Sequence, residues 1–102
     1  MPRQPEGRLV KRIKAYVKGK GGRCFNIHGG DNPYQEVGIP DLLICYRGRF
    51  VGLEVKQPGE EPTAKQKQVL HEIEAAGGRA VAVTTVEEVV DLLAKIDKGV
   101  DH

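Results

Sequence analysis

Gly38-Ile39-Pro40-Asp41-Leu42-Leu43-Ile44-Cys45-Tyr46-Arg47-Gly48-Arg49-Phe50-Val51-Gly52-Leu53-Glu54-Val55-Lys56 reads as a β-hairpin with chemistry at its open end. Leu42 to Tyr46 is an apolar strand, Arg47-Gly48-Arg49 a turn, and Phe50 to Lys56 a returning strand. A hairpin brings the start of its first strand beside the end of its second, so Asp41 is expected to meet Glu54 and Lys56. Side chains alternate along a strand, which puts Glu54 and Lys56 on one face and turns Val55 into the core. A glutamate among Phe50, Val51, Leu53 and Val55 is costly to bury unless paired or bound to a cation. The competing expectation is an edge strand with Glu54 in solvent. Two carboxylates and a lysine at one point are the inventory for holding a hard divalent cation and hydrolysing a phosphodiester.

Outward from the hairpin, the chain punctuates itself clearly. A helix is predicted from about Pro5 to Lys18, with Leu9, Val10, Ile13, Tyr16 and Val17 on one apolar stripe and Gly19, Gly21 and Gly22 behind it. A short strand from Arg23 to Ile27 or His28 follows, then a loop through Gly29-Gly30-Asp31-Asn32-Pro33-Tyr34-Gln35-Glu36. After the hairpin, Thr63-Ala64-Lys65-Gln66 has the form of a capping box and opens a helix to about Ala76, closed by Gly77-Gly78. Ala80 to Val83 is a buried-type strand, and Thr85-Val86-Glu87-Glu88 is a second capping box opening a helix to about Ile96. The order is αβββαβα. The crossover through a helix predicts a parallel pairing of the third and fourth strands with right-handed connection, giving a four-stranded mixed sheet flanked by helices.

The 102 residues suit one domain, and 39% hydrophobic with 29% charged residues suits a water-soluble globular protein. The net charge of +2 argues no large nucleic-acid footprint, but its distribution is uneven. Arg3, Arg8, Lys11, Arg12, Lys14, Lys18, Lys20 and Arg23 stand near the start against the single acid Glu6, a basic end able to meet phosphates or simply a solvated helix face. Cys24 and Cys45 lack zinc-site spacing and are expected to pack as small hydrophobes. The chain has no signal-peptide pattern and no membrane-length apolar run, so a reducing cytoplasm is the expected home, with no membrane partner.

Gly38-Ile39-Pro40-Asp41, Glu54-Val55-Lys56-Gln57-Pro58-Gly59, Thr63-Ala64-Lys65-Gln66 and Gly77-Gly78, in this order and on these elements, resemble the VRR-NUC family of the PD-(D/E)XK nuclease superfamily, over roughly residues 6–93. The resemblance implies a restriction-endonuclease-like core of α/β class. It implies Asp41 and Glu54 as metal ligands with the main-chain carbonyl of Val55, and Lys56 as the group acting on water and the scissile phosphate. An acid in the first helix, here Glu6, joins the metal site in that family; a favourable charge at a helix start is the alternative. Gln66 shares a face with Leu70 and Ile73 and is expected to line the active centre, although the capping box offers it another role. Lys11, Arg12, Lys14, Lys18 and His28 are candidate contacts to a nucleic-acid backbone.

The resulting expectation is a Mg2+- or Mn2+-dependent DNA endonuclease with no small-molecule cofactor. Small stand-alone members of the family resemble viral or bacterial nucleases (host cytoplasm, if viral), several of them Holliday junction resolvases acting as homodimers. Branched DNA and a homodimer are therefore the expected partners. The alternatives are cleavage of flaps, nicks or duplex ends, and a non-catalytic nucleic-acid-binding module.

Overall fold

In the computed structural model, which describes residues 4–27 and 36–99, helix α1 (Gln4–Gly19) precedes strand β1 (Arg23–Asn26). The hairpin strands β2 (Leu42–Tyr46) and β3 (Arg49–Val55) follow, then α2 (Ala64–Ala75), β4 (Arg79–Val83) and α3 (Val86–Asp97). Both expected capping boxes form. Thr63 and Gln66 close the start of α2, and Thr85 and Glu88 the start of α3, each pair satisfying two main-chain N–H groups that the helix cannot. The hairpin turn is tighter than the sequence suggested. Tyr46 pairs directly with Arg49, leaving Arg47 (φ 51°) and Gly48 (φ 77°) as a two-residue turn whose positive φ angles match the twist of the flanking strands. Tyr46 Oη and Arg47 Nε both donate to Asp97 Oδ1, at 2.7 and 2.6 Å, which ties this turn to the end of α3.

The sheet order is β1-β2-β3-β4, with β1 and β2 antiparallel, β2 and β3 antiparallel, and β3 and β4 parallel. One face carries Leu42, Ile44, Tyr46, Val51, Leu53, Val55 and Val83, all buried with Ile13 and Val17 of α1 and Val89, Leu92, Leu93 and Ile96 of α3. This face is the core, and the alternating pattern of the strands builds it. The other face carries Phe25, Asp41, Leu43, Cys45, Phe50, Gly52, Glu54 and Ala82, and α2 packs there. Gly78 permits the close approach between α2 and the sheet: a Cβ at that position would lie 2.8 Å from the main-chain oxygen of Phe50. Only part of this face is covered, and Phe25 and Phe50 stay about half exposed. That geometry corrects one expectation. Cys24 is buried, but Cys45 is exposed, because strand alternation turns it to the partly covered face beside Phe50.

Candidate active site

Register places the hairpin's acids together. Leu42 pairs with Leu53, so one residue outward Asp41 lies opposite Glu54. Asp41 is pinned twice. Its main-chain oxygen accepts from Ile27 N–H at 2.7 Å, fixing it to the end of β1. Its Oδ2 accepts from Val55 N–H at 2.8 Å, fixing it to β3. Pro40 packs against Gly52, where a Cβ would come within 3.0 Å of the proline ring, so the bare glycine makes room for the segment that delivers Asp41. Lys56 follows β3 directly, and its N–H donates to Val83 O at 2.9 Å, extending the parallel pairing with β4 to the site.

β3 is a central strand, and Glu54 is 1% exposed, the one buried charged side chain among the described residues. The edge-strand alternative therefore falls. Among the described residues, Glu54 Oε2 has no hydrogen-bond partner. Burial pushes the Glu54 carboxyl up to about 8; its hydrogen bond with the Asp41 carboxyl and the charge of Asp41 push the same way, while Lys56 and the Asp41 main-chain N–H pull back. At neutral pH and without a cation, the pair accordingly retains a proton. A buried carboxylate pair with an orphaned oxygen is the environment a divalent cation relieves: its charge replaces the proton, and the free oxygen gains a partner.

Among the described residues no three of His, Cys, Asp and Glu cluster as a ready-made ligand set. That excludes a closed zinc-type cage built from those residues, but it fits Mg2+, which is held by one or two carboxylates and completes its shell with waters and phosphate oxygens. The candidate donor set is Asp41, Glu54 and the main chain of Val55 between Glu54 and Lys56. Glu6 lies in the first turn of α1, and its side chain is outside the described residues, as is His28 entirely.

Gln66 is placed differently from expectation. Its Oε1 accepts Thr63 N–H at 2.8 Å, while Thr63 Oγ1 accepts Gln66 N–H at 3.1 Å. The capping alternative prevails because the side chain bonds to its own helix start, three residues away.

Lys56 also opens onto a cleft of about 280 Å³ at the ends of β3 and β4, lined by Arg8 and Arg12 of α1 and by Thr85 and Glu87 at the start of α3. Arg12 was among the expected backbone contacts; Arg8 was not. The signal that finds Arg8 is its spacing of four from Arg12, one helical turn. Lys14 and Lys18 line a separate recess of about 530 Å³ with Arg23 and Cys24, and Lys11 is exposed on α1.

A mixed sheet with α1 and α3 on one face and α2 on the other, presenting a buried carboxylate pair and a lysine at the ends of its central strands, defines an α/β domain of nuclease type. Solved structures agree. One described as "VRR_NUC domain" superposes with a TM-score of 0.70 at 26% identity, covering 88% of this chain and 95% of that one. A second, "VRR_NUC domain protein", gives 0.71 at 20% identity and 95% coverage of both chains, a likeness of fold. The chain shares the αβββαβα fold of these VRR_NUC-domain structures. No protein-family model and no curated protein matches the sequence.

Proposed function

We propose that this protein is a divalent-metal-dependent endonuclease that hydrolyses phosphodiester bonds in DNA. The observation that carries the proposal is Glu54: a buried carboxyl beside Asp41, with an oxygen that nothing among the described residues satisfies, and Lys56 close enough for its charge to act on that carboxyl. Nature tolerates such a group where it has a use, because burying an unpaired charge costs several kcal/mol, on the order of its shift away from the usual carboxylate range.

Asp41, Glu54 and the Val55 carbonyl would hold Mg2+ or Mn2+, which when bound polarises a phosphoryl oxygen and acidifies water. Asp41 is oriented by Val55 N–H, so the side chain is positioned before any cation arrives. Lys56 is half-buried at the edge of the cleft, where its ammonium would orient the attacking water and offset charge growing on the scissile phosphate. Direct attack by water needs no covalent enzyme intermediate.

Branched DNA is the proposed preferred substrate and a homodimer the proposed functional unit, on the family resemblance. One chain supplies one Asp41–Glu54–Lys56 centre, so two equivalent strands of a junction would require two chains related by symmetry. The test is a cleavage panel of four-way junction, flap, nicked and linear duplex DNA with Mg2+, Mn2+ or chelator, run beside Asp41→Ala. Metal-dependent cutting lost in Asp41→Ala supports the nuclease reading, and preference for the junction by a species of twice the chain mass supports the substrate reading. Binding without cleavage in any metal would favour the non-catalytic binding module. Equal cutting of every shape by a monomer would remove the junction preference alone.

A further inference from the structure

The cations of α1 form two groups rather than one run. Successive helical residues turn by about 100°, so positions four apart stay on one flank. Ile13 and Val17 mark the buried stripe. Arg8 and Arg12 lie to one side of it and line the cleft with Lys56. Lys14 and Lys18 lie to the other and line the recess with Arg23. Only the first group shares a surface with the candidate catalytic lysine.

We propose that Arg8 and Arg12 form a subsite for one backbone phosphate of the bound DNA strand, the neighbour of the phosphate engaged by Lys56. The proposal rests on the nuclease reading for its substrate. The cleft brings three cations together against one carboxylate, Glu87. Among the described residues, neither Arg8 nor Arg12 has an ion-pair partner, in contrast to Arg47, whose Nε lies 2.6 Å from Asp97. Guanidinium groups one turn apart present planar forks suited to the oxygens of a single phosphate. The start of α3 also lines the cleft, and part of its amide set is already engaged. Its capping amides are already bonded, Thr84 N–H and Thr85 N–H to Glu88 Oε1 at 2.6 and 3.1 Å and Glu88 N–H to Thr85 Oγ1 at 3.2 Å. The side-chain positive charge of the cleft therefore resides in the two arginines and Lys56. A phosphate held there fixes the strand relative to Asp41 and Glu54, so Arg8 and Arg12 act as positioning residues.

The test follows the arginine side chains directly. A 15N-labelled protein in metal-free buffer is titrated with a short DNA duplex, and the Nε–Hε signals are monitored by NMR. Arg8 and Arg12 signals are expected to shift and to exchange more slowly with water. Arg8→Ala/Arg12→Ala should weaken binding by about tenfold and lower the salt slope by about one to two units. With Mg2+, the same variant should cut poorly through KM more than kcat. In wild type, neutralising the phosphate next to a scissile bond as a methylphosphonate should suppress cutting there; in the variant that added penalty should vanish, whereas Lys14→Ala/Lys18→Ala should retain it. DNA bound at saturation with both arginine signals unmoved would overturn the subsite. A nucleoside monophosphate that moves these signals as strongly as the duplex at equal concentration would assign the cleft to a free nucleotide and equally overturn it. Shifted signals with no cleavage in any metal would leave the subsite standing and sink the nuclease reading instead.

Discussion

Replacing Glu54 with Gln should stabilise the metal-free protein, and should do so only above a definite pH. The Glu54 carboxyl is displaced from about 4.5 to about 8, chiefly by burial and then by Asp41. An acid whose folded pKa is raised binds more protons folded than unfolded, so stability falls as pH rises between the two values. Below about 4.5 the glutamate is neutral in both states and costs nothing; above about 8 it is ionised in both, and the full cost is present. At about 1.4 kcal/mol per pH unit, the displacement corresponds to about 3–5 kcal/mol, a large share of the 5–15 kcal/mol by which a domain is usually stable. Gln has nearly the same shape, stays neutral, and can donate to Asp41. Urea unfolding in chelator at intervals from pH 5 to pH 9 measures the effect as the difference between variant and wild type, in which the titration of other groups such as Glu88 and Asp97 cancels. The difference should be small near pH 5 and grow to about 3 kcal/mol or more by pH 9. Parallel profiles for the two proteins would refute the argument that Glu54 is buried with a raised pKa next to a second carboxylate.

Other substitutions separate the remaining roles. Lys56→Ala should lower turnover by about 10²–10⁴-fold while calorimetry still detects cation binding, since the role proposed for the lysine is on water and phosphate; loss of cation binding would make its role structural. Thr63→Ala should cost about 1 kcal/mol in urea melts through loss of the α2 cap, and Gln66→Ala should cost less than that and leave cleavage intact; a large loss of activity in Gln66→Ala at unchanged stability would return it to the active centre. Gly78→Ala should cost about 1–3 kcal/mol in the same melts, because its Cβ would press on the main chain of β3 at Phe50; an unchanged midpoint would show that α2 can shift freely.

Much of this site was written in the local pattern. A two-fold alternation on either side of Arg47-Gly48 forces Asp41 opposite Glu54 and turns Val55 inward, whatever the rest of the chain does. The capping boxes at Thr63 and Thr85 were equally local, since each involves residues three apart. What escaped sequence reading depends on tertiary cover. Whether Cys45 is buried is decided by how far α2 extends across its face, and α2 stops short. Gln66 had two compatible partners in sequence, one three residues away and one across the fold, and the nearer one took it. The division of the α1 cations was available from helical period alone, but it gained meaning only when the cleft beside Lys56 joined Arg8 to Arg12.

The central claim is that Asp41 and Glu54 hold a divalent cation, and proton release on binding tests it most directly. With its carboxyl near 8, Glu54 is mostly protonated at pH 7 and must ionise to become a ligand. Titration calorimetry with Mg2+ or Mn2+ at pH 7, in two buffers of different ionisation enthalpy, counts the protons expelled. The account predicts saturable binding with close to one proton released per cation, lost in Asp41→Ala and reduced to near zero at pH 9. Absence of binding in both metals, or binding at pH 7 with no proton released, would contradict it.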